Sequence, residues 1–345
     1  MKTSVKMALL LAAALIALLL GVGAGSVYVA PGDILAILGN RLFGTPFPES
    51  LPAGYSAMVL DMRLPRVLLA FLTGAALAMG GTVMQSILQN PLASPFALGV
   101  SSGAGMGAAL VIVLGLTAGG LGVFLLSAVS LAFALGTVFL VLLVSARLDR
   151  NLSNVTVILV GMVLSLFCSA VMNLLATTSP VYAQRIQLWQ LGSFSMREWS
   201  AVWVLAPFAV LGLLLFLGHA RELDVMTFGE EQAGAMGVDL ARTKRVLLTA
   251  VAALTGAAVA FAGVIGFVDL IAPHIVRKWF GAAHRRVLPA AALFGGAFLV
   301  LCDLAARTLT PPREIPIGSI TALLGAPFFL YVFFAGRKRR GDGIR

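Results

Sequence analysis

The sequence predicts an all-α membrane protein that crosses the lipid bilayer about ten times, and two observations lead to this prediction. The first is composition: of 345 residues, 60% are apolar and only 11% are charged, whereas an ordinary soluble domain is about a quarter charged. The second is that apolar stretches of about 20 residues, enough to cross a hydrocarbon layer of roughly 30 Å, recur along the whole chain. A water-soluble globule and a disordered chain are both excluded.

The spans can be counted between short basic clusters. When these clusters are placed on one side of the membrane, that side carries 17 of the 24 Lys and Arg residues and the other side keeps 7, as the positive-inside rule expects. Basic residues in short clusters between apolar spans orient a membrane protein, whereas a nucleic-acid-binding protein needs a continuous basic surface along the phosphates. No nucleic-acid partner is therefore expected. We expect a single transmembrane domain, 1–345, with both termini cytoplasmic and approximate spans at 7–29, 66–88, 94–115, 119–145, 153–176, 200–218, 246–264, 267–280, 288–307 and 316–336.

Two of these spans leave alternatives open. The first resembles a signal peptide, which would leave nine spans if it were cleaved, but we interpret it as a retained helix. The eighth is short, because only about 30 apolar residues separate two basic clusters that must share a side, whereas two full crossings need about 40. We predict one whole helix followed by a short one, broken through Gly263, Gly266 and Pro273; a re-entrant loop is the alternative.

An internal repeat is also present. Leu-Thr-Gly-Ala-Ala at 72–76 recurs at 254–258, and at the same offset of 182 Gly81 matches Gly263 and Pro91 matches Pro273. By the span count the two copies run in opposite directions. Inverted repeats place a substrate path at their interface, although Ala/Gly-rich helices can also share a pentapeptide by chance.

The sequence contains little that indicates bond-breaking chemistry. It has no phosphate-binding loop, its histidines lack metal-ligand spacing, and no pair of carboxylates is spaced for acid–base work. Gly99, Gly103 and Gly107 lie four residues apart in the third span, a spacing that lets another helix approach closely. Residues 99–103 also satisfy G-x-S-x-G, but a hydrolase would need Ser101 on a strand-turn-helix elbow, so we interpret the glycines as helix-packing positions.

Two polar regions are candidate partner surfaces. The 219–245 segment contains two short amphipathic stretches broken at Gly229 and Gly237, with Phe228 among its acidic residues. A solvated loop needs no such apolar side chains, whereas short helices that lie in a groove of a cytoplasmic partner would use them as anchors. Three arginines lie on the other side of the membrane: Arg63, Arg66 and Arg307. We interpret them either as side chains that snorkel to the interface or as a basic rim that receives acidic groups of a soluble partner.

Several motifs, in order from about residue 55 to the end, resemble one family. They are Arg-Leu-Pro-Arg at 63–66, Gln-Asn-Pro-Leu-Ala at 89–93, Leu-Gly-Val-Ser-Ser-Gly-Ala at 98–104, Gly-Val-Ile-Gly-Phe at 263–267, Pro-His at 273–274, Asp-Leu-Ala-Ala-Arg at 303–307, Ile-Pro-Ile-Gly at 315–318 and Gly-Ala-Pro at 325–327. The chain resembles the FecCD-type permeases of bacterial ATP-binding-cassette importers, which handle ferric siderophores, haem and cobalamin.

The resemblance implies a non-enzymatic translocation subunit in the bacterial inner membrane, and four partners for it. These are a second permease subunit, expected as an identical copy that forms a homodimer, two cytoplasmic ATPase subunits that bind the ATP and Mg²⁺, and a soluble or lipid-anchored substrate-binding protein. No cofactor is expected on this chain. A ferric siderophore is the expected cargo, with haem or cobalamin as alternatives. An ion-coupled secondary transporter, with Asp269 as its coupling carboxylate, is the alternative of a different class.

By the same resemblance, site residues can be assigned to three roles. The binding-protein docking residues are Arg63, Arg66 and Arg307; the ATPase-coupling residues are Glu222, Phe228, Gly229, Glu230 and Gly237; and the pathway or gate residues are Asn90, Leu92, Asn154, Val155 and Asp269. Asn154-Val155 departs from the hydroxyl pair of the cobalamin type, which disfavours cobalamin slightly. Asp269 stands where relatives usually carry Gly, and a carboxylate at membrane depth normally faces a cavity or a partner.

Overall fold

The protein is described by a computed structural model that covers residues 2–25, 27–46, 51–52, 54–116, 122–149, 152–195 and 197–341. Within these residues the chain is helical and contains no strand, so the all-α prediction is confirmed. The helices are α1 Thr3–Gly23, α2 Pro31–Phe43, α3 Gly54–Ala57, α4 Leu64–Ile87, α5 Val100–Val113, α6 Gly122–Leu148, α7 Asn154–Ala176, α8 Pro180–Gln190, α9 Trp199–Gly218, α10 Ala220–Met226, α11 Glu230–Ala235, α12 Leu240–Ala262, α13 Val268–Phe280, α14 His284–Thr308 and α15 Ile317–Gly341. A π-helical turn, Met58–Arg63, joins α3 to α4.

Seven helices in the described part of the chain are long and apolar enough to cross a membrane, and α5 and the apolar part of α15 are shorter apolar helices. The third predicted span, 94–115, is wrong as a single helix. It consists of a 3₁₀ turn, Pro95–Leu98, then Gly99 at φ 79°, and then the 14-residue α5. The left-handed Gly99 separates the two parts, because that conformation ends regular helix geometry. The first residues of the predicted 119–145 span lie outside the described residues.

The core of the bundle is the antiparallel pair of α4 and α14. In α4 and the turns before it, 83% of the most apolar stretch is buried, compared with 22% in α7. Helix α1 packs against α14, where an added Cβ on Gly21 would lie 2.8 Å from Val300. Because α4 is covered on all sides by protein, its motion must be shared with its neighbours, whereas α7 has a face free for lipid or another chain.

The predicted break before the eighth span is present at Gly263 and Gly266. Helix α12 ends at Ala262, and the chain turns through Gly263 and Phe267, both at positive φ, before α13 begins. Pro273 does not break α13 but lies inside it. A proline costs one backbone hydrogen bond, which neighbouring residues can compensate in a membrane helix. The predicted break at Pro273 is therefore wrong, and the short 13-residue helix itself is present.

Two helices were not anticipated from hydropathy. Helix α2 and helix α8 each begin with a proline in the first turn and are too short and too polar to span. Both follow a candidate span, α1 and α7 respectively. Hydropathy windows miss such helices, because an 11- to 13-residue segment that lies along a surface has no long apolar run.

The two copies of the repeated pentapeptide lie on α4 and α12, which pack against each other: an added Cβ on Gly80 would lie 3.0 Å from Thr255 Oγ1. The wider match is not reflected in local structure. Gly81 is inside α4, whereas Gly263 ends α12.

Candidate functional site

The Arg63 guanidinium is turned into the protein. It donates hydrogen bonds to the carbonyl oxygens of Val22 at 2.9 Å, Gly23 at 3.1 Å and Val27 at 2.5 Å, and the residue is only 8% exposed. The last carbonyls of a helix have no partner within the helix, so Arg63 satisfies those at the end of α1. In this conformation its polar atoms are engaged within the chain and do not form part of an exposed rim.

The other two predicted docking arginines belong to an ion cluster with two carboxylates. Arg66 pairs with Asp303 at 2.8 Å and with Glu314 at 2.7 Å, and its side chain is 13% exposed. Arg307 hydrogen-bonds to the carbonyl oxygen of Gly21 and approaches Asp303 at 3.5 Å. The cluster formed by Arg63, Arg66, Arg307, Asp303 and Glu314 will be called the arginine cluster; it keeps one net positive charge.

Glu314 is the exposed member of this cluster, because its side chain is 36% accessible whereas that of Asp303 is 2% accessible. The hydrogen bond from Arg66 lowers the pKa of Glu314 below its ordinary range, against an opposing effect of burial. Glu314 is therefore ionised at neutral pH and accessible to an incoming group.

At the other end of the bundle, the 219–245 segment presents α10 and α11. Gly229 and Gly237 follow these two helices at φ 122° and 87°. Phe228 is 65% exposed and Met236 is 63% exposed. A cavity of about 650 Å³ lies between α10 and the start of α12. Its lining includes Glu222, whose Oε2 is buried and has no hydrogen-bond partner in the described part of the chain.

Helix α11 is attached to the bundle through a buried lysine. The ammonium group of Lys244 donates to Glu230 Oε1 at 2.9 Å and to the Leu152 carbonyl oxygen at 2.8 Å, and the residue is fully buried. Leu152 precedes α7 with a left-handed backbone, φ 52°. Lys244 thereby connects α11 to the entrance of α7, where Asn154 and Val155 lie.

Helix α10 is attached through a histidine. Asp224 Oδ1 accepts hydrogen bonds from the backbone N–H of His284 at 2.9 Å and lies 2.6 Å from its Nδ1. The Nε2 of the same ring lies 2.7 Å from Ser86 Oγ on α4. Sequence reasoning missed this cluster, since the three residues are far apart along the chain; the available signal was a histidine and an aspartate next to helix ends.

Four of the five predicted pathway or gate residues lie near two helix ends, at the same end of the bundle as α10 and α11. Asn90 is exposed, and its Oδ1 accepts a hydrogen bond from the backbone N–H of Leu92 at 2.9 Å, which forms a local turn. Leu92 is 47% exposed and Val155 is 67% exposed. Asn154 begins α7, and its Oδ1 is buried with no hydrogen-bond partner among the residues that the structure describes.

A residue not predicted, Gln89, connects the Asn90 turn to α10. Its side-chain amide donates to the Met226 carbonyl oxygen at 3.1 Å, so the turn and the end of α10 are hydrogen-bonded to each other.

Asp269 lies in the first turn of α13 and is 1% exposed. Ser94 donates a hydrogen bond to its Oδ2, while its Oδ1 has no partner among the described residues. Gly81 allows the Asp269 backbone to approach α4, since an added Cβ there would lie 2.0 Å from the Asp269 carbonyl oxygen. Asp269 therefore faces protein, at the junction of α4, α13 and the turn before α5.

Gly99, Gly103 and Gly107 line one side of α5 against α6. An added Cβ would lie 2.3 Å from Thr137 Oγ1 at Gly103 and 2.9 Å from the Val129 carbonyl oxygen at Gly107. Ser101, on the same helix, is half-buried. The close approach of the two helices requires small residues here.

Comparison with known proteins agrees with this architecture. Residues 11–335 match the model of the FecCD transport family. An uncharacterised ABC transporter permease, YvrB of Bacillus subtilis, is 42% identical over 94% of this chain and 92% of its own length. The cobalamin import permease BtuC of Halobacterium salinarum is 38% identical (84% and 77% covered), and the hemin transport permease HmuU of Yersinia pestis is 40% identical (81% and 84% covered).

A solved structure is also similar. It shows an inward-facing conformation of an ABC transporter assigned provisionally to the metal-chelate type, with a TM-score of 0.82, 31% sequence identity, and 94% of this chain and 97% of that chain covered.

The helical bundle, with its long apolar spans and buried ion clusters, defines an integral, multi-pass membrane protein of the permease class. The chain belongs to the FecCD transport family. It is the permease subunit of an ABC importer.

Proposed function

We propose that this subunit imports a large metal chelate, a ferric siderophore in the first instance, which a binding protein delivers and ATP hydrolysis in separate subunits drives. The observation that supports the proposal most directly is the exposure of two apolar side chains, Phe228 and Met236, in the 219–245 segment. This segment forms two short helices, α10 and α11, at one end of the helix bundle. A permease without a phosphate-binding loop of its own needs a motor to bind it, and exposed apolar side chains beside acidic ones suit a groove in such a partner.

The motor would bind α10 and α11 through Phe228 and Met236, with Glu222 and Glu230 beside them. Gly229 and Gly237 supply the positive φ that lets the segment turn between its helices. The cavity of about 650 Å³ at Glu222 offers a place for one polar side chain of the ATPase. Because α10 and α11 are each hydrogen-bonded to the bundle, a movement imposed on them is passed to the helices.

A second copy of the permease would complete the pathway. Helix α7 buries one face, including Gly161 and Cys168, on its neighbours, whereas the opposite apolar face is exposed from Val155 to Leu174. Two such faces would enclose a wide channel with Asn154 and Asn173 near its ends. A channel of this kind binds its cargo weakly, so the selectivity for the chelate lies in the binding protein.

The arginine cluster would be the docking surface for that binding protein. Its net positive charge attracts an acidic partner. Glu314 is half-exposed and already paired with Arg66, so an acidic group of the binding protein docks by taking its place. Arg63 contributes indirectly, since it fixes the end of α1 beside this surface.

The substrate assignment rests on the relatives. Their cargoes, cobalamin and hemin, are both large metal-centred rings, and the similar solved structure is assigned provisionally to the metal-chelate type. A ferric siderophore has the same size class. The common chemistry is a bulky chelate with the metal already coordinated by its own ligands.

The test is reconstitution of the purified chain in vesicles, with and without its ATPase and binding-protein partners. Uptake of a labelled ferric siderophore, of haem and of cyanocobalamin is measured with and without ATP. We expect uptake of one chelate class only in the complete, ATP-supplied complex. Uptake by the lone chain under an ion gradient would contradict the proposal.

A variant pair tests the motor surface separately. Phe228→Ala should reduce recovery of the ATPase on purification of the permease by about tenfold, the effect of losing a central apolar anchor. Phe43→Ala, which removes another exposed phenylalanine far along the chain, should leave it unchanged. Equal recovery from the two variants would contradict the placement of the motor.

A further inference from the structure

We propose that the α4–α14 pair is a rigid strut that links the motor surface to the arginine cluster, and that Asp224, His284 and Ser86 clamp it to α10. The inference rests on the proposed function, since it names the residues through which α10 would act. It follows from three sets of contacts, one at each end of the pair and one in the middle.

The first contact joins α10 to the start of α14. Asp224 accepts two hydrogen bonds from His284, one from the backbone N–H at 2.9 Å and one from the ring Nδ1 at 2.6 Å. The residue before α14, Ala283, provides no side-chain cap. A carboxylate at a helix N-terminus satisfies free N–H groups and is stabilised by the helix dipole. Asp224 therefore caps α14 from another helix.

The same histidine continues the connection to α4. His284 Nε2 lies 2.7 Å from Ser86 Oγ, which also accepts a hydrogen bond from Arg277 on α13 at 3.1 Å. His284 is 1% exposed and Ser86 is 2% exposed, so water does not compete for these bonds. In the tautomer that carries the proton on Nδ1, that N–H donates to Asp224 and Nε2 accepts a hydrogen bond from the Ser86 hydroxyl, so both ring nitrogens have a partner.

In the middle of the pair the two helix backbones are in close contact. Gly74 of α4 and Gly295 of α14 are so close that a Cβ added to Gly74 would lie 2.1 Å from the Gly295 carbonyl oxygen. At the far end Arg66 of α4 pairs with Asp303 of α14 at 2.8 Å. Arg66 and Ser86 are 20 residues apart, which corresponds to about 30 Å of helix. The pair is thus fixed at both ends and in the middle.

A rigid pair transmits movement because packed cores shift between discrete arrangements and do not deform continuously. A displacement of α10 therefore reaches the arginine cluster as a movement of α4 and α14 together. Binding at the arginine cluster, in turn, biases the position of α10.

Ser, His and Asp here also have the order of a hydrolytic triad. The buried Ser86 hydroxyl, which lies against Arg277 and the Thr82 carbonyl oxygen, is out of reach of a substrate. The chain of bonds therefore positions helices and does not provide a nucleophile.

The test is a double-mutant cycle between Ser86→Ala and Asp224→Ala in the full complex. Ser86 and Asp224 each hydrogen-bond to His284 and not to each other among the described contacts. A coupling energy between the two substitutions therefore measures the link through His284. Ser179→Ala is the matched control, because Ser179 also caps a helix, α8, through Val181 N at 3.3 Å, but lies outside the 219–245 segment and outside the cavity at Glu222.

The measured quantity is the stimulation of ATP hydrolysis by the loaded binding protein, together with chelate molecules moved per ATP. We expect each single variant to lower the stimulation about tenfold, within the usual range of coupling between sites. The double variant should lose no more than either single one, and basal hydrolysis and subunit ratio should stay unchanged. The control should remain within about twofold of wild type.

Three results would overturn the inference: losses that multiply in the double variant, an equal loss in the control, or no loss in either single variant. His284→Gln provides a second route if Ser86→Ala does not assemble, since its amide can reach Ser86 while only its backbone N–H still donates to Asp224; it should lower the stimulation, but less than Asp224→Ala. Absence of any stimulation in wild type would instead refute the proposed function, and the inference with it.

Discussion

The close approach of α4 and α14 at Gly74 predicts that Gly74→Ala destabilises the protein strongly. The added Cβ would lie 2.1 Å from the Gly295 carbonyl oxygen, whereas ordinary van der Waals contact begins at 3.4 Å. The helices would have to separate by about 1.3 Å. Overpacking of a tight core costs about 1–3 kcal/mol, and a gap of 0.5–1 Å forfeits roughly a quarter to a half of each neighbouring contact. We expect a loss of about 3 kcal/mol.

The matched control is Gly136→Ala on α6, where an added Cβ would meet nothing within 4 Å. Alanine favours helix over glycine by up to about 1 kcal/mol, so this variant should be neutral or more stable. Both proteins are unfolded by heat and by denaturing detergent in the same micelles, followed by circular dichroism. The two substitutions should have opposite signs. Equal midpoints for Gly74→Ala and Gly136→Ala would show that α4 and α14 do not pack this closely.

Three further predictions concern the ion clusters. Arg66 lowers the pKa of Glu314 below its ordinary value of 4.5, so the ion pair stabilises the protein fully above pH 4.5. This stabilisation is lost as the pH falls through the lower pKa of Glu314 in the folded protein. Glu314→Gln should therefore remove this part of the acid dependence of the melting temperature. The same substitution should strengthen docking of an acidic binding protein, whereas Arg66→Ala should weaken it about tenfold, as measured by surface plasmon resonance; weakening by both would contradict docking at this cluster. Glu230→Ala leaves the Lys244 charge buried and should cost about 3 kcal/mol, whereas Lys244→Met should cost about 1 kcal/mol in denaturant unfolding; the reverse order would contradict the burial of Lys244.

Much of the fold could be predicted because hydropathy is a local property. A run of 20 apolar residues must cross or be buried wherever it lies, and this gave the helical class and the long spans. Prediction failed where the decisive feature was a single backbone conformation. Left-handed Gly99 divides the third span, whereas Pro273, which looked like a break, is accommodated inside α13.

The site was predictable in residue type and less so in arrangement. Phe228, in a segment that is otherwise polar, indicated a surface for a partner, and the structure exposes it. Arg63 looked like part of an open rim, and only the structure shows it satisfying the end of α1, 41 residues away along the chain. No local pattern indicates which carbonyl an arginine will reach.

The sequence by itself determined that this chain lies in a membrane, is helical, and carries two polar surfaces at opposite ends, because each of these follows from hydropathy and charge within a short window. Only the tertiary structure decided which charges pair and which helices pack against each other. Asp303 meets Arg66 and His284 meets Asp224 across 237 and 60 residues of chain. Which residues pair over such distances is determined by how the helices pack, and this packing depends on the sequence of the whole chain.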